Sequence, residues 1–322
     1  MTIYLRVISL VACLFAASVV SASAQQDYPN RPIQVIFGFP AGGGADITIR
    51  HFLNRLEKVS GKTFVLNNKP GNAGNLALAM AAGAKPDGLT LTIASSSNMV
   101  GARYFYKEIA FDPVKDFVPI GSFTEGAFIL LTGNSIAAKT LPDLTAYLKS
   151  RPQNRYGYSN QIGLLASEYY KNTSGFAGVA VAYRSGPEAY PDVQNGLLEF
   201  MVADATTSSA HIKAGRLRAI ATTTTTRLPV FPDLPTMKEL GFPDADFSSW
   251  FAMYAPAGTD PAIVAKLGQW LREATAGEET EKFLSATANT TLFDDSAATT
   301  ERLKREIARW EPIVKAAGVE RQ

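Results

Sequence analysis

Short apolar runs alternate with amphipathic stretches along most of the chain. The run Ile33–Phe37 is bounded by turn residues, which predicts a buried strand. After the glycines at positions 42–44, apolar side chains recur at helical spacing from Ile47 to Leu56, which predicts a helix. The same succession of strand, polar turn and helix returns further along the chain. Such alternation is typical of parallel βαβ units, so we predict an α/β fold.

The remaining elements follow from the same patterns. Strands are predicted at 63–66, 89–94, 127–131, 156–159, 179–181, 198–203 and 217–221, and helices at 76–84, 141–148, 164–171 and from about 260 and 303. The unbroken threonines at 222–226 favour an extended chain. In parallel sheets, ligands lie beyond the carboxyl ends of the strands. We therefore expect the turns at 40–46 and 95–98, which bring in Ser96 and Asn98, to share one edge.

The turn Gly42-Gly43-Gly44 has the features of an anion site. Small residues ahead of a helix leave its first N–H groups uncovered, and the helix dipole adds positive potential there. Ala45 and Asp46 stand where a phosphate loop requires Lys and Ser or Thr, and the dinucleotide-binding glycine pattern also fails. Asp46 can cap the helix, and its charge repels a dianionic phosphate more than a carboxylate. A carboxylate is therefore predicted, and a turn that only reverses the chain is the alternative.

The first residues have the pattern of an export signal. Arg6 precedes an apolar run that ends at Ala22-Ser23-Ala24, so residues 1–24 are predicted to be a cleaved signal peptide. Cys13 lies in a sequence resembling a lipoprotein processing box, which leaves lipidation as an alternative. It is the only cysteine, so removal of the leader would leave no disulfide and no thiol nucleophile. We expect an exported protein.

Composition narrows the possible partners. The 322 residues suffice for two domains of about 150 residues each, and no segment after the leader approaches about 18 uninterrupted apolar residues. Without Arg6 the chain carries 30 basic and 29 acidic residues, so no net field attracts nucleic acid or anionic lipid. Any selectivity of the protein for a charged ligand must therefore come from charges close to the binding site.

Catalytic patterns are weak. After the leader the only histidines are His51 and His211, for which structural roles are favoured, and no metal-ligand spacing occurs. Ser159 begins a sequence resembling a nucleophile elbow, but Gln161 occupies the position of the second glycine. Glycine- and hydroxyl-rich turns aimed at one edge instead favour binding of a small polar ligand, without a cofactor.

Several segments, in order along nearly the whole chain after the leader, resemble the Bug family of extracytoplasmic solute receptors of tripartite tricarboxylate transporters. These segments are Tyr28-Pro29-Asn30-Arg31-Pro32-Ile33, Pro40-Ala41-Gly42-Gly43-Gly44-Ala45-Asp46, Asn68-Lys69-Pro70-Gly71, Lys85-Pro86-Asp87-Gly88, Asp112-Pro113-Val114-Lys115-Asp116-Phe117, His211-Ile212-Lys213-Ala214-Gly215, Leu234-Pro235-Thr236 and Ser249-Trp250-Phe251.

The resemblance implies a two-domain periplasmic binding protein of type II, the Venus flytrap arrangement, with the ligand cleft between the domains. Residues 25–123 and 222–322 would form a discontinuous domain 1, and residues 124–221 domain 2. The two crossings would fall at 121–125 and within 221–235.

The resemblance also implies which loops grip a ligand carboxylate, partly through waters. The loop at 40–46 matches the family well. The opposing loop at 159–163 departs from it, because many relatives carry a Gly/Ser-rich turn followed by His. Tyr183 is expected to form a cleft wall, and Asp204 either points inward or caps the next helix. The candidate ligand-binding residues are Phe39, Ala41, Gly42, Gly43, Asp46, Ser96, Asn98, Ser159, Asn160, Gln161, Tyr183 and Asp204.

We therefore expect a monomeric, non-enzymatic receptor that captures a small organic carboxylate, favouring a dicarboxylate, for a two-component membrane permease driven by an ion gradient. Two alternatives are a carboxylate receptor that feeds a sensor kinase and, remotely, a secreted hydrolase that uses Ser159.

Overall fold

The computed structural model describes residues 28–318 and 321. The predicted signal peptide at 1–24, with Cys13, lies outside the described residues. Within the described part of the chain, no helix is long and apolar enough to cross a membrane.

Two sheets organise the structure. The strands are β1 (Ile33–Phe37), β2 (Phe64–Asn68), β3 (Thr90–Ser95), β4 (Phe117–Gly126), β5 (Phe128–Thr132), β6 (Arg155–Tyr158), β7 (Val179–Ala182), β8 (Phe200–Asp204), β9 (Arg218–Thr222), β10 (Ser249–Pro256) and β11 (Asn289–Asp295). The first sheet has the order β11-β4-β10-β3-β1-β2, and the second has the order β7-β6-β8-β5-β9.

Both sheets are mixed. In the first, β1 runs parallel to β2 and β3, whereas β10 is antiparallel to β3 and β4. In the second, β6 is parallel to β7 and β8, and β5 is antiparallel to β8 and β9. The predicted α/β class is therefore confirmed, with antiparallel strands added where the chain passes between the sheets.

Helices cover the faces of the sheets. They are α1 (Gly44–Ser60), α2 (Asn75–Ala82), α3 (Ser96–Met99), α4 (Ala102–Phe105), α5 (Leu141–Lys149), α6 (Gln161–Ser174), α7 (Gly186–Gln194), α8 (Ala205–Lys213), α9 (Pro261–Thr275), α10 (Glu278–Ala286) and α11 (Ser296–Ala317), with a 3₁₀ turn at Asn72–Gly74.

The first helix shows how the sequence pattern becomes packing. Its predicted apolar positions are buried, including Ile49, Phe52 and Leu56. Phe52 meets Phe123 of β4 edge to face, with ring centroids 4.7 Å apart. Burying such a side chain stabilises the fold by about 1.5–3 kcal/mol, so this face fixes α1 on the first sheet.

The chain leaves the first sheet after Gly126 and enters the second at Phe128. It returns after β9 through an irregular segment to β10. We call the regions built on the first and second sheets the first and second domains. The predicted domain limits at 123/124 and 221/222 stay predictions.

The threonine run departs from the extended chain that we predicted. Strand β9 ends at Thr222, and residues 223–226 form bends. The Thr222 and Thr223 hydroxyls both donate to the Phe128 carbonyl, and the Thr224 hydroxyl donates to the Thr226 carbonyl. These side-chain bonds compete with a regular ladder, which explains why the strand stops.

The two domains touch at two places along the space between them. The Ser97 hydroxyl of the first domain donates to Gln161 Oε1 of the second over 2.9 Å. Asn289 Nδ2 donates to Thr206 Oγ1, also over 2.9 Å. The space between the domains is therefore bridged by direct hydrogen bonds.

Candidate functional site

A cleft with two adjoining compartments lies between the domains. The first compartment is lined by Phe39, Pro40, Gly43, Gly44, Ala45, Thr48, Ser97, Gly126, Ala127, Phe128, Ser159, Asn160, Arg184, Ser185, Gly186, Asp204, Thr206, Ser249, Phe251 and Asn289. The second, larger compartment is lined by Gly38, Phe39, Pro40, 70–74, Ser97, Phe105, Tyr106, 158–161, Leu164 and 182–184. Six residues are common to both, so the compartments share a wall.

The amino termini of four long helices reach the first compartment: α1 from the first domain and α6, α7 and α8 from the second, while the short helix α3 adds Ser97. Asn160 caps α6 and Asp204 caps α8 through side-chain oxygens. In contrast, α1 and α7 have no side-chain cap. Unoccupied N–H groups and the positive ends of helix dipoles favour an anion, so this compartment has two open anion-binding ends, one from each domain.

The loop before α1 owes its shape to Asp46. Asp46 does not cap the helix, as we had expected it could, because Gly43 occupies the N-cap and the Asp46 carboxylate lies inside the first turn. Asp46 Oδ2 instead accepts the Gly42 N–H over 3.0 Å and the Arg50 Nε–H over 2.9 Å. Asn68 Nδ2 donates to Oδ1 over 2.9 Å. The Gly42 amide is thus already occupied.

Electrostatics keep this carboxylate charged. Burial by itself would raise the pKa of Asp46, but the hydrogen bonds from Arg50, Gly42 and Asn68 outweigh it and hold the pKa below 3.8. The amides that remain at the start of α1 belong to Gly44, Ala45 and Asp46, because the first intrahelical bond runs from the Ile47 N–H to the Gly43 carbonyl.

Asp204 fills both of the roles that the sequence left open. Its Oδ1 accepts the Thr207 N–H over 2.9 Å, which caps α8. The same oxygen faces Gly44 of the first domain across the cleft. Burial raises the pKa of Asp204, although the hydrogen bonds from Thr207 oppose the shift. The group is therefore a carboxyl whose neutral form is favoured more than usual.

The turn after β3 contributes Ser97 rather than the two residues that we had singled out. Ser97 lines both compartments and donates to Gln161. The Ser96 side chain is fully buried, and its hydroxyl makes no hydrogen bond. Asn98 is also buried, and its Oδ1 accepts from the N–H and the hydroxyl of Ser95 in a capping box. This turn forms the short helix α3, which rotates Ser97 toward the cleft.

The loop after β6 lies opposite. Ser159 and Asn160 line both compartments, and Gln161 lines the second. Asn160 Oδ1 accepts the Gly163 N–H over 2.9 Å, so that oxygen stabilises the helix start. Gln161 is 5% exposed, and its Nε2 atom is buried without a hydrogen-bond partner.

The loop after β7 holds the basic side chain of the cleft. Tyr183 lines the second compartment, and its hydroxyl donates to Asp192 Oδ2 over 2.5 Å. Burial and this carboxylate raise the pKa of Tyr183 to about 12. Arg184 is exposed and lines both compartments. It is the one basic residue among the lining residues of either compartment.

The structure therefore brings together some of the predicted residues and separates others. Phe39, Gly43, Ser159, Asn160, Gln161, Tyr183 and Asp204 line the cleft, whereas Ala41, Gly42, Asp46, Ser96 and Asn98 do not. Sequence reasoning missed Ser97, Arg184, Asn289 and the start of α7 at Ser185 and Gly186. The pattern Arg184-Ser185-Gly186-Pro187 directly after a strand was a usable signal, since Pro favours the first turn of a helix.

Neither histidine lies at the cleft. His51 stacks on Phe283 with ring centroids 4.0 Å apart, and His211 contacts Tyr190. Ser159 thus lines a compartment whose lining residues include no histidine. In residues 28–318 and 321, no group of three or more His, Cys, Asp or Glu side chains could hold a metal ion.

Comparison with known proteins identifies the architecture. Residues 48–319 match the family described as "Tripartite tricarboxylate transporter family receptor". Protein BugT of Bordetella pertussis is 29% identical over 97% of this chain and 98% of its own length.

Solved structures show the same fold. A protein of R. palustris solved with adipate has a TM-score of 0.88 and 28% identity, and the match covers 92% of this chain and all of that one. The periplasmic binding protein BugD has a TM-score of 0.86 and 25% identity, with coverages of 92% and 100%. These matches confirm the two-domain periplasmic binding protein fold.

Receptors of this family bind solutes and are not enzymes, which removes the hydrolase alternative for Ser159. The helix amino termini and the bridged cleft of this structure suit such a receptor. With most of its length matched, this chain belongs to the TctC, or Bug, family of tripartite tricarboxylate transporter receptors.

Proposed function

We propose that this receptor binds a small organic dicarboxylate in the periplasm and delivers it to the membrane permease of a tripartite tricarboxylate transporter. One carboxylate would accept hydrogen bonds from the free amides of Gly44, Ala45 and Asp46. The predicted leader and the periplasmic relative BugD support the location.

The observation that carries this proposal is the pair of uncapped helix starts, α1 and α7, which face one compartment from opposite domains. Each offers main-chain N–H donors and a partial positive charge. An anion between them would contact both domains at once, so its binding would favour the closed arrangement. Ligand binding would in this way be coupled to domain closure.

Arg184 supports a second negative group. It is exposed in the shared wall of the compartments and is the one basic side chain among their lining residues. A guanidinium can hold a carboxylate through two parallel hydrogen bonds. A dicarboxylate could therefore use α1 at one end and Arg184 at the other.

Asp204 sets a condition on the ligand. An ionised Asp204 facing Gly44 would repel a carboxylate at the same helix start. Because its pKa is raised, protonating Asp204, or sharing a proton between Asp204 and the ligand, costs less free energy than at a solvent-exposed aspartate. Asp204 would then donate to the ligand or accept from a ligand hydroxyl.

A related structure agrees with the ligand class. The R. palustris protein that is 28% identical to this chain was solved with adipate, a dicarboxylate. The match extends along 92% of this chain.

Thermal-shift and calorimetric titration with adipate, malate, citrate, aromatic acids, nicotinate and amino acids would test the proposal. A ligand present at about 100 times its dissociation constant should add about 2.7 kcal/mol of stability. Absence of binding by every carboxylate would contradict the proposal.

The transport role needs a separate experiment. Deletion of the gene should abolish uptake of the bound acid, and the wild-type gene should restore it. If deletion instead removes only a transcriptional response and leaves uptake intact, the receptor serves a sensor kinase.

A further inference from the structure

Five of the nineteen residues that line the second compartment are aromatic, against three of the twenty that line the first. Its rings are those of Phe39, Phe105, Tyr106, Tyr158 and Tyr183, and Leu164 adds an aliphatic surface. Aromatic side chains bury planar groups with large contact area and favourable ring geometry. A short aliphatic acid held only by α1 and Arg184 would make no contact with these rings.

The hydroxyl of one of these rings is already committed. The Tyr183 hydroxyl donates to Asp192 over 2.5 Å, so its contribution to the compartment is the ring. Burial, helped by Tyr158, raises the pKa of Tyr106, which therefore stays a neutral phenol at physiological pH. Arg184 is the only lining residue of this compartment with a formal charge at neutral pH.

One residue that lines this compartment, Gln161, carries a buried donor. Gln161 is 5% exposed, and its Oε1 is fixed by the Ser97 hydroxyl over 2.9 Å. Fixing the oxygen fixes the direction of the Nε2 group. This group lies near Tyr106 but makes no hydrogen bond of normal geometry. A buried donor without a partner is unfavourable, so a ligand acceptor here would be stabilised.

The two compartments adjoin along one wall. Phe39, Pro40, Ser97, Ser159, Asn160 and Arg184 line both of them. A ligand anchored at the start of α1 can therefore extend past this wall into the aromatic compartment.

We propose that the second compartment binds an aromatic ring, so that the solute is an aromatic acid with an oxygen acceptor on the end of the ring remote from its anchored carboxylate. Gln161 Nε2 donates to that distal oxygen, and Arg184 supplies positive charge beside it. This inference rests on the proposed carboxylate-binding function and narrows its ligand class.

Three probes separate the contributions. Terephthalate has an anchoring carboxylate, the ring and a distal carboxylate that can accept hydrogen bonds. Benzoate has the anchoring carboxylate and the ring but no distal acceptor, and adipate has two carboxylates without a ring. By isothermal titration calorimetry we expect terephthalate to bind at least tenfold more tightly than either of the others. Adipate binding as tightly as terephthalate would overturn the inference while leaving the carboxylate receptor intact. Failure of all three and of every other carboxylate would instead remove the proposed function.

Three variants at two positions test the residues. Gln161→Glu keeps an oxygen for Ser97 but replaces the free donor by an acceptor. It should weaken terephthalate at least tenfold and benzoate less than threefold. Tyr106→Leu should weaken both aromatic acids, whereas Tyr106→Phe should retain benzoate binding. Thermal melts establish that each variant is folded. Unchanged terephthalate affinity in both Gln161→Glu and Tyr106→Leu would overturn the assignment of this compartment.

Discussion

The carboxylate of Asp204 in the second domain lies directly against Gly44 in the first. A Cβ atom at Gly44 would stand 2.1 Å from Asp204 Oδ1, well inside contact distance. Gly44 is also the first residue of α1. The close approach of the domains therefore depends on the absence of a side chain at this position.

Gly44→Ala should hinder domain closure. The added methyl group would force Asp204 or the whole second domain to move, at a cost of about 1–3 kcal/mol. Carboxylate affinity should fall correspondingly, by about 5- to 150-fold, as measured by calorimetry. Small-angle scattering should show a more extended molecule.

Gly43→Ala is the matched control for that substitution. A Cβ at Gly43 would meet only the Pro40 carbonyl oxygen at 3.6 Å, an ordinary contact, and its φ of −77° suits any residue. Affinity in Gly43→Ala should stay within threefold of the wild type. Equal losses in the two variants would show that the cleft does not close onto Gly44.

Asp204→Asn should change the pH dependence of stability. The folded-state pKa of Asp204 is raised above 3.8. The stabilisation that its neutral carboxyl gives to the folded state is therefore fully present below pH 3.8 and is lost as the pH rises through the folded-state pKa. Asparagine can still accept from the Thr207 N–H, so the cap on α8 is kept.

Thermal melts of the wild type and of Asp204→Asn would measure this difference. The melts should run from about pH 3.5, close to the pKa of an unfolded aspartate, up to neutrality. The wild type should lose stability relative to the variant as the pH rises. A constant difference across the range would contradict the burial of an ionisable Asp204 at the cleft. Arg184 is the other charged side chain that lines the compartment of Asp204, so it is the next residue to substitute.

Asp46→Ala should loosen the loop before α1. It removes the partner of the Gly42 N–H, of Arg50 and of Asn68, and should cost about 1–3 kcal/mol in the free energy of unfolding by denaturant. The stabilisation is present above the unfolded pKa of 3.8 and is lost as the pH falls through the lowered folded pKa.

Arg50→Ala serves as the comparison. The Arg50 side chain is 53% exposed, so its ion pair with Asp46 should contribute only about 0–1 kcal/mol. If both variants lose the same stability, the main-chain bond to Gly42 is not what holds the loop.

Arg184→Gln should separate ligands by charge. Affinity for dicarboxylates should fall about tenfold or more in calorimetric titrations, because the distal carboxylate loses its cationic partner. Monocarboxylates should change by less than threefold, and Arg184→Lys should restore part of the loss. Equal weakening of both ligand classes would place Arg184 outside the contact with the second carboxylate.

The local pattern of apolar, polar and glycine positions in this sequence determined its secondary-structure elements. The apolar run before Gly38, the triple-glycine turn and the spacing from Ile47 to Leu56 gave a strand, a turn and a helix at the expected positions. These features are set by neighbouring residues, through side-chain burial and backbone freedom, so a linear reading can find them. The order of familiar segments likewise identified the family.

Tertiary structure decided which polar groups face the ligand space. The sequence placed Gly42 and Ser96 at the right edge of the sheet, but Asp46 occupies the Gly42 amide and the short helix α3 turns Ser97 to the cleft instead. Asp204 lies against Gly44, and Arg184 lines the same compartment, only because two domains that are distant in sequence close on one another. Side-chain direction and contacts between distant segments depend on packing in three dimensions, which the period of hydrophobic positions along the chain does not encode.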